Sequence, residues 1–211
     1  IAARWALANS PRMASNMTSI AHSGLDLYIK SEGQWLYAGS GKPDNLSSKA
    51  TLIEHMPDGE KECLLYLPLY NELKELEIGI TEGYYIMLMD NPFRRKVAVY
   101  GSSITQGAAA SRPGMAYLSQ MGRKSGIEFI NLGLSGNGKM ETEVADMLAE
   151  IDADAFILDC AANPSPQQIL ERTAYLVRKI REKHPSIPII MIESVIRESG
   201  TFDTKIRNTV D

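Results

Sequence analysis

The sequence changes its rhythm at the short stretch NPFRR, residues 91–95. Beyond it, runs typical of buried strands alternate with runs typical of helices. The strand candidates lie at 97–100, 128–132, 155–160 and 187–193. Strands that alternate with helices form a parallel sheet through right-handed crossovers. We therefore predict a flavodoxin-like α/β domain over residues 96–211, with helices on both faces of its sheet.

The helices of this region are predicted at about 114–124 and 139–151, with a longer one after Ser165. Ser165 is a suitable N-cap, Pro166 suits the first helical position, and Gln168 completes a capping box. The long helix is therefore expected to begin at Pro166.

The first ninety residues contain short extended runs separated by glycine and proline. Besides the opening run IAARWAL, the strand candidates are 25–30, 34–39, 50–56, 62–70 and 73–80. Such close spacing is typical of an antiparallel sandwich or jelly roll. In the last run, Leu76, Ile78 and Ile80 alternate with polar residues, which predicts one buried face. We therefore predict a β-sandwich domain over residues 1–90. Since the chain begins inside a strand-like run, we expect this domain to be incomplete at its N-terminus.

Composition narrows the range of partners. The net charge is −4 and no cluster of Lys and Arg stands out, so no nucleic-acid partner is expected. The only cysteines, Cys63 and Cys160, lie far apart, which indicates neither a disulfide framework nor a metal site. No apolar run approaches the ~20 residues of a membrane span. Composition does not predict an oligomeric state.

In a parallel sheet the ligand crevice lies beyond the carboxyl ends of the strands, so the loops after 100, 132 and 160 are examined first. The first loop contains GSSITQG, residues 101–107. Gly101 lets the chain turn sharply, and Ser103 would then stand near the start of a helix with its amide facing the crevice. This arrangement suits a nucleophilic serine whose amide helps to hold an oxyanion. The alternative is a loop of small residues that only turns.

The second loop, GLSGNGKM at 133–140, fits the phosphate-binding pattern G-x-x-x-x-G-K. On that interpretation Asp159 would be a magnesium ligand. Met140, however, stands where a P-loop needs Ser or Thr for magnesium. The other interpretation gives Gly136 an amide that faces the crevice, where a substrate oxygen approaches the backbone closely. Nucleotide binding stays an alternative.

The third loop, CAANPSP at 160–166, places Asn163 just after a strand. An asparagine before proline often folds onto its own backbone as a turn residue. Its amide could equally donate to an oxyanion.

Together and in this order, the three loops resemble the SGNH (GDSL-type) hydrolases over residues 96–194. GSSIT is similar to their first block, which implies that Ser103 is the nucleophile. NLGLSG is similar to the second block, with Gly136 as the oxyanion glycine, and Asn163 matches the asparagine of the third. Upstream, GLDLY at 24–28 resembles the GxDLY-type β-sandwich domain that precedes the catalytic domain in one branch.

The resemblance implies a serine esterase that needs no cofactor and no metal. It further implies a small acyl group such as acetyl, carried on a carbohydrate, as the substrate. We expect an extracytoplasmic location, periplasmic or secreted, although no leader is visible in the sequence. A carbohydrate-binding module on a degenerate hydrolase fold, without catalysis, is the other alternative.

The chain departs from the family pattern in three places. Ser102 replaces the Asp of the first block, and Ala161 replaces the Gly of the third. The C-terminal Asp-x-x-His block is absent, and the sequence context of His22, His55 and His184 does not direct any of them to the crevice. We therefore expect the catalytic Asp and His beyond residue 211, and a hydrolase domain that is incomplete at its C-terminus.

Overall fold

A computed structural model describes residues 1–195 and 198–207 of the chain. The residues form two compact units. The first unit comprises Ile1–Arg94 with Gly107–Gly126, and the second comprises Arg95–Gln106 with the described residues from Ile127 onward. The predicted domains, 1–90 and 96–211, are continuous segments of the chain that would each fold by themselves. That division stays a prediction.

The described residues form ten strands and six α-helices, together with two 3₁₀ turns at Pro113–Met115 and Glu198–Thr201. The strands are β1 (Ala2–Leu7), β2 (Leu25–Ser31), β3 (Gln34–Gly41), β4 (Ser47–Thr51), β5 (Cys63–Tyr66), β6 (Leu73–Gly79), β7 (Lys96–Gly101), β8 (Glu128–Gly133), β9 (Ala155–Asp159) and β10 (Ile189–Met191). The helices are α1 (Ser19–Ser23), α2 (Ser103–Gln106), α3 (Tyr117–Ser125), α4 (Thr142–Ala149), α5 (Pro166–Lys183) and α6 (Thr204–Arg207). Within the described part of the chain, no helix combines the length and the apolar character that crossing a bilayer requires.

The first unit contains two three-stranded antiparallel sheets, in the orders β4-β1-β6 and β3-β2-β5. Their shared core includes Trp5, Leu25 and Leu27, all of which are buried. The indole Nε1 of Trp5 donates to the carbonyl of Ser23 at 3.1 Å, so the large ring is buried without an unpaired donor. The predicted antiparallel sandwich is confirmed.

Three details of the first unit differ from the sequence prediction. The strand predicted at 62–70 covers only Cys63–Tyr66. The strand predicted at 50–56 is wrong beyond Thr51. The observed strand β4 ends at that residue, where the last pair of its ladder with β1 is Ala2–Thr51. Leu76 does lie on the core face, since it pairs directly with the buried Trp5. Yet Leu76 and Ile78 remain 36% and 37% exposed, because β6 lies at the edge of its sheet.

The second unit contains a parallel sheet in the order β10-β9-β7-β8. In chain order this is 2-1-3-4, the order of flavodoxin-like folds, with β7 at the point where the order reverses. α4 and α5 supply Leu148, Leu176 and Ile180 to a core that also includes Tyr100 and Phe156. The predicted α/β class is confirmed.

The helix boundaries follow local signals. The Ser165 side chain accepts from the Gln168 amide at 3.3 Å, and the Gln168 side chain accepts from the Ser165 amide at 2.9 Å, so the capping box is confirmed. α4 begins at Thr142 rather than 139, because Gly138 and Met140 have positive φ angles of 29° and 58°. α3 begins only at Tyr117, since a separate 3₁₀ turn covers Pro113–Met115.

Candidate active site

The three loops singled out in the sequence start side by side at one edge of the parallel sheet. Gly101, the last residue of β7, pairs with Gly133 of β8 and with Asp159 of β9. Neighbouring strands lie about 4.8 Å apart, so the three loops leave the sheet within about 10 Å. The first and second loops are also joined directly, because the Leu134 amide donates to the Gly101 carbonyl at 2.9 Å.

The two serines of the first loop have different environments. Ser102 is 1% exposed, and its Oγ accepts from the Ile104 amide at 3.2 Å, so it caps the one-turn helix α2. Ser103 is the first residue of α2 and is only half-buried. Of the two hydroxyls, that of Ser103 is therefore the one that a substrate can reach.

Gly101 permits the sharp turn because there is no room for a side chain. A Cβ at this position would lie 1.8 Å from Thr105 Oγ1 and 2.5 Å from the Asp159 carbonyl oxygen. Any larger residue would push α2 away from the end of β9. The glycine thus fixes how closely the Ser103 helix approaches the sheet.

A partly buried side-chain hydrogen bond holds α2 in this place. Thr105 is fully buried, and its Oγ1 donates to Asp159 Oδ2 at 2.8 Å. The bond ties the helix that carries Ser103 to the last residue of β9. The sequence did not predict this pair, because Asp159 was expected only as a magnesium ligand of a phosphate-binding loop. The sequence feature that could have indicated this bond is a threonine two residues after the candidate serine, together with an acidic residue at the end of the adjacent strand.

The second loop folds tightly over the end of β7. The Asn137 amide donates to the Leu134 carbonyl at 2.9 Å, and Ser135 has a φ of 53°. A Cβ on Gly138 would lie 2.5 Å from the Gly101 carbonyl oxygen. Gly136 differs, because it is exposed and no described atom lies within 4 Å of a Cβ built on it. Local packing therefore does not explain this glycine, and the space beside it is open.

The third loop is joined to the second through Asn163. Its Nδ2 donates to the Ser135 carbonyl at 2.7 Å, one residue before Gly136. A primary amide has two hydrogens, so Asn163 can donate a second bond. The structure thus brings the Asn163 loop and the Gly136 loop together at the edge from which Ser103 emerges.

A second hydrogen-bonded pair, Tyr100 and the half-buried Glu141, holds the end of the Gly136 loop. The Tyr100 hydroxyl donates to Glu141 Oε2 at 2.8 Å and accepts from the Met140 amide at 2.9 Å. The Lys139 amide also donates to Glu141 Oε2, at 2.9 Å. Burial raises the pKa of Tyr100, and its bond to Glu141 raises it further. Burial alone would raise the pKa of Glu141, but its hydrogen bonds outweigh burial and hold that pKa below its usual range.

Comparison with known sequences decides the family. Residues 94–211 match the GDSL-like Lipase/Acylhydrolase family, and residues 1–86 match GxDLY, the N-terminus of Esterase_SGNH_hydro-type. The chain belongs to the GDSL-like lipase/acylhydrolase family. This membership favours the hydrolase interpretation of the second loop over the phosphate-loop interpretation. A search of curated protein sequences found no significant match.

Solved structures support the same assignment. A Bacteroides ovatus protein described as a GDSL-like lipase is 56% identical, with a TM-score of 0.96 over 99% of this chain and 62% of its own. A family two carbohydrate esterase from Clostridium thermocellum, in complex with cellohexaose, is 11% identical with a TM-score of 0.64, covering 99% and 73%. A salicylyl-acyltransferase from a tetracycline biosynthetic pathway is 18% identical with a TM-score of 0.60, covering 99% and 62%. The last two show the fold alone.

The three histidines of this member of the GDSL-like family contact other residues or solvent. His184 follows α5, its Nε2 lies 3.0 Å from the Ala149 carbonyl, and its ring packs against Phe156. Phe156 stands three residues before Asp159, toward the opposite edge of the sheet from the Ser103 loop. His22 contacts Ser23 through Nδ1 at 2.7 Å and stacks on Tyr70. His55 is exposed.

Neither metal-ion chemistry nor thiol chemistry is favoured by the described residues at this edge of the sheet. Among residues 1–195 and 198–207, no three His, Cys, Asp or Glu side chains come close enough together to hold a metal ion. Cys160 lies at the start of the third loop as a buried free thiol. Burial, with the neighbouring Asp159, raises the pKa of Cys160 to about 12, so the reactive thiolate is scarce at neutral pH.

Proposed function

We propose that this GDSL-like hydrolase is a serine esterase that removes a small, acetyl-like acyl group from a carbohydrate. Ser103 is the nucleophile, and Gly136 and Asn163 are oxyanion donors. The observation that carries the proposal is that Ser103, at the start of α2, is only half-buried, in contrast to the fully buried Ser102. The bond between Asn163 and Ser135 supports a common role for the second and third loops.

The reaction is acyl transfer to water in two steps. Ser103 Oγ attacks the ester carbonyl while a base takes its proton, and the charge that develops on the carbonyl oxygen is held by the amides of Ser103 and Gly136 and by Asn163 Nδ2. Collapse of this intermediate expels the sugar alcohol, which receives the proton, and leaves an acyl-serine. Water then attacks the acyl-serine, releasing the carboxylic acid and restoring the hydroxyl.

The substrate class is inferred from the site and from the fold. The open space beside Gly136 accommodates an ester oxygen close to the backbone. The family two carbohydrate esterase shares the fold and binds cellohexaose in its structure, which supports a sugar as the alcohol. The acyltransferase shares the fold as well. The assays therefore compare water with a second alcohol as the acceptor of the acyl group.

The nucleophile is tested in the complete protein with a fluorophosphonate probe that labels activated serines. We expect Ser103→Ala to abolish labelling and Ser102→Ala, the matched control, to retain it. Loss of labelling in Ser102→Ala alone would assign the nucleophile to Ser102. If the parent protein is not labelled by the probe at all, the proposal that it is a serine esterase is wrong.

The substrate is tested by comparing aryl acetate with aryl butyrate and octanoate, and by following acetate release from an acetylated oligosaccharide. We expect kcat/KM to fall as the acyl chain lengthens, and free acetate to appear as the product. Glycan binding without ester turnover would instead support a non-catalytic module. Magnesium-dependent ATP binding would support the phosphate-loop alternative.

A further inference from the structure

The Gly136 loop, residues 133–140, ends at a strained residue. Met140 has a φ of 58°, a backbone conformation that a residue with a side chain keeps only where its surroundings hold it. The Met140 side chain is 1% exposed and belongs to the core of the second unit. Both the backbone and the side chain of Met140 are therefore held in place, and so is this end of the loop.

The Tyr100 hydroxyl supplies the hydrogen bond that holds the Met140 backbone. It accepts from the Met140 amide at 2.9 Å and donates to Glu141 Oε2 at 2.8 Å. The same Glu141 oxygen accepts from the Lys139 amide at 2.9 Å, and Arg172 of α5 donates to the Lys139 carbonyl at 3.0 Å. The Tyr100 ring is fully buried in the core, so its hydroxyl has a fixed position. Two consecutive loop amides thus depend on Tyr100, one directly and one through Glu141.

Gly136 lies between two points at which the loop touches the end of β7. At its start, the Leu134 amide donates to the Gly101 carbonyl at 2.9 Å. Toward its end, a Cβ on Gly138 would lie 2.5 Å from the same carbonyl oxygen. Only three residues separate Leu134 from Gly138, so the position of Gly136 depends on both points.

We infer that Tyr100 is a positioning residue for the Gly136 loop. Its backbone lies near the end of β7, the strand that leads to Ser103, and its hydroxyl holds the end of the loop that carries Gly136. One residue thereby sets the separation between the nucleophile and an oxyanion donor. Tyr100 is fully buried, so it acts through the loop and not on the substrate. The inference rests on the proposed function of Ser103 and Gly136.

The test compares Tyr100→Phe with Tyr175→Phe in the complete protein. Each variant loses one hydroxyl that donates to a carboxylate, but Tyr175 bonds to Asp146 and so joins α5 to α4. The measurements are kcat and KM on an aryl acetate, inhibition by an arylboronic acid, and the melting temperature. An arylboronic acid bonds to an active-site serine as a tetrahedral anion, so its affinity reports how well the site fits the transition state.

We expect Tyr100→Phe to lower kcat at least ~tenfold with KM within ~twofold, because a displaced oxyanion donor loses its bond in the transition state and not in the ground state. Affinity for the boronic acid should fall by the same factor as kcat, whereas Tyr175→Phe should retain both. A lower melting temperature in Tyr100→Phe, with kcat and boronic acid affinity within about twofold of the parent, would overturn the inference. Equal slowing in Tyr175→Phe would overturn it as well.

Should Tyr100→Phe not fold, Glu141→Ala and Glu141→Gln replace it. Glutamine keeps an oxygen that can accept from both the Tyr100 hydroxyl and the Lys139 amide, whereas alanine keeps none. We expect Glu141→Ala to lower kcat and boronic acid affinity together, and Glu141→Gln to keep both within about threefold of the parent. Equal kcat in the two folded variants would overturn the inference alone. A parent protein that neither a fluorophosphonate nor the boronic acid inhibits would instead remove the proposed esterase.

Discussion

The Thr105 hydroxyl and the Asp159 carboxylate lie 2.8 Å apart, and their bond fixes the helix that begins with Ser103 against the end of β9. Thr105 is fully buried, and Gly101 leaves no space between α2 and the strand. A shift of α2 by the width of one methyl group would therefore break the bond. The position of Ser103 depends on a threonine that itself touches no substrate.

We expect Thr105→Val to lower kcat/KM in the complete protein at least ~tenfold. Valine keeps the shape of threonine but cannot donate to Asp159, and a hydrogen bond to a carboxylate contributes about 1.5–3 kcal/mol. Thr173→Val is the matched control, because the Thr173 hydroxyl bonds the Ile169 carbonyl inside α5 and contacts Met140 Sδ, but is not bonded to α2. Equal kcat/KM in both variants would show that the Thr105–Asp159 bond does not position the nucleophile.

The sequence predicted those parts of the site that depend on local order along the chain. The alternation of strands and helices predicted the parallel sheet, and the sheet in turn predicted which loops would meet. The capping box at Ser165 could likewise be predicted, since its partner Gln168 stands three residues away in the sequence. In contrast, the pairs Thr105–Asp159 and Tyr100–Glu141 join separate segments, and their contact depends on a strand register that the residue pattern does not encode.

Asp26 illustrates the same limit in the first unit. Strand alternation predicts that a polar residue between Leu25 and Leu27 faces away from the core, and Asp26 does so. That face is nevertheless buried, because residues 107–126 pack with residues 1–94. A segment eighty residues later in the chain thus decides the environment of Asp26, so its pairing with Arg112 could not be predicted from the strand alone.

Asn163→Ala should lower kcat in the complete protein about a hundred- to a thousandfold, the typical effect of removing one oxyanion donor. The variant also loses the 2.7 Å bond to the Ser135 carbonyl, so the melting temperature is measured alongside. Asn163→Asp keeps the size but cannot donate to the Ser135 carbonyl either, and its negative charge opposes an oxyanion, so it should be at least as slow. Asn16→Ala, at an exposed position, serves as the unaffected control. Turnover in Asn163→Ala within threefold of the parent would remove Asn163 from the oxyanion hole.

Glu141→Gln should make the fold less sensitive to acid. Hydrogen bonds hold the pKa of Glu141 below its usual range in the folded state. The stabilisation is therefore present above the unfolded pKa of about 4.3, and it is lost as the pH falls through the lower folded pKa. The melting temperature is measured at neutral pH and at about pH 3.5. On acidification the melting temperature of the parent should fall further than that of Glu141→Gln, whereas the melting temperature of the exposed control Glu143→Gln should fall as in the parent. An equal fall in all three proteins would contradict this prediction.

The general base should not be His22, His55 or His184. His184 is bonded to the Ala149 carbonyl and packs on Phe156, and His22 stacks on Tyr70, so both have structural partners. Removing a general base costs about a hundred- to ten-thousandfold. We expect each single His→Gln variant of the complete protein to keep kcat/KM within about threefold, with a lower melting temperature in His184→Gln.

The 211-residue chain alone should then hydrolyse an aryl acetate only at the residual rate that an oxyanion hole and binding provide, about a thousand- to ten-thousandfold over water. That chain is compared with the complete protein under the same conditions. Equal turnover by the two would place the base within these residues. A hundredfold loss in one folded His→Gln variant would assign the base to that histidine.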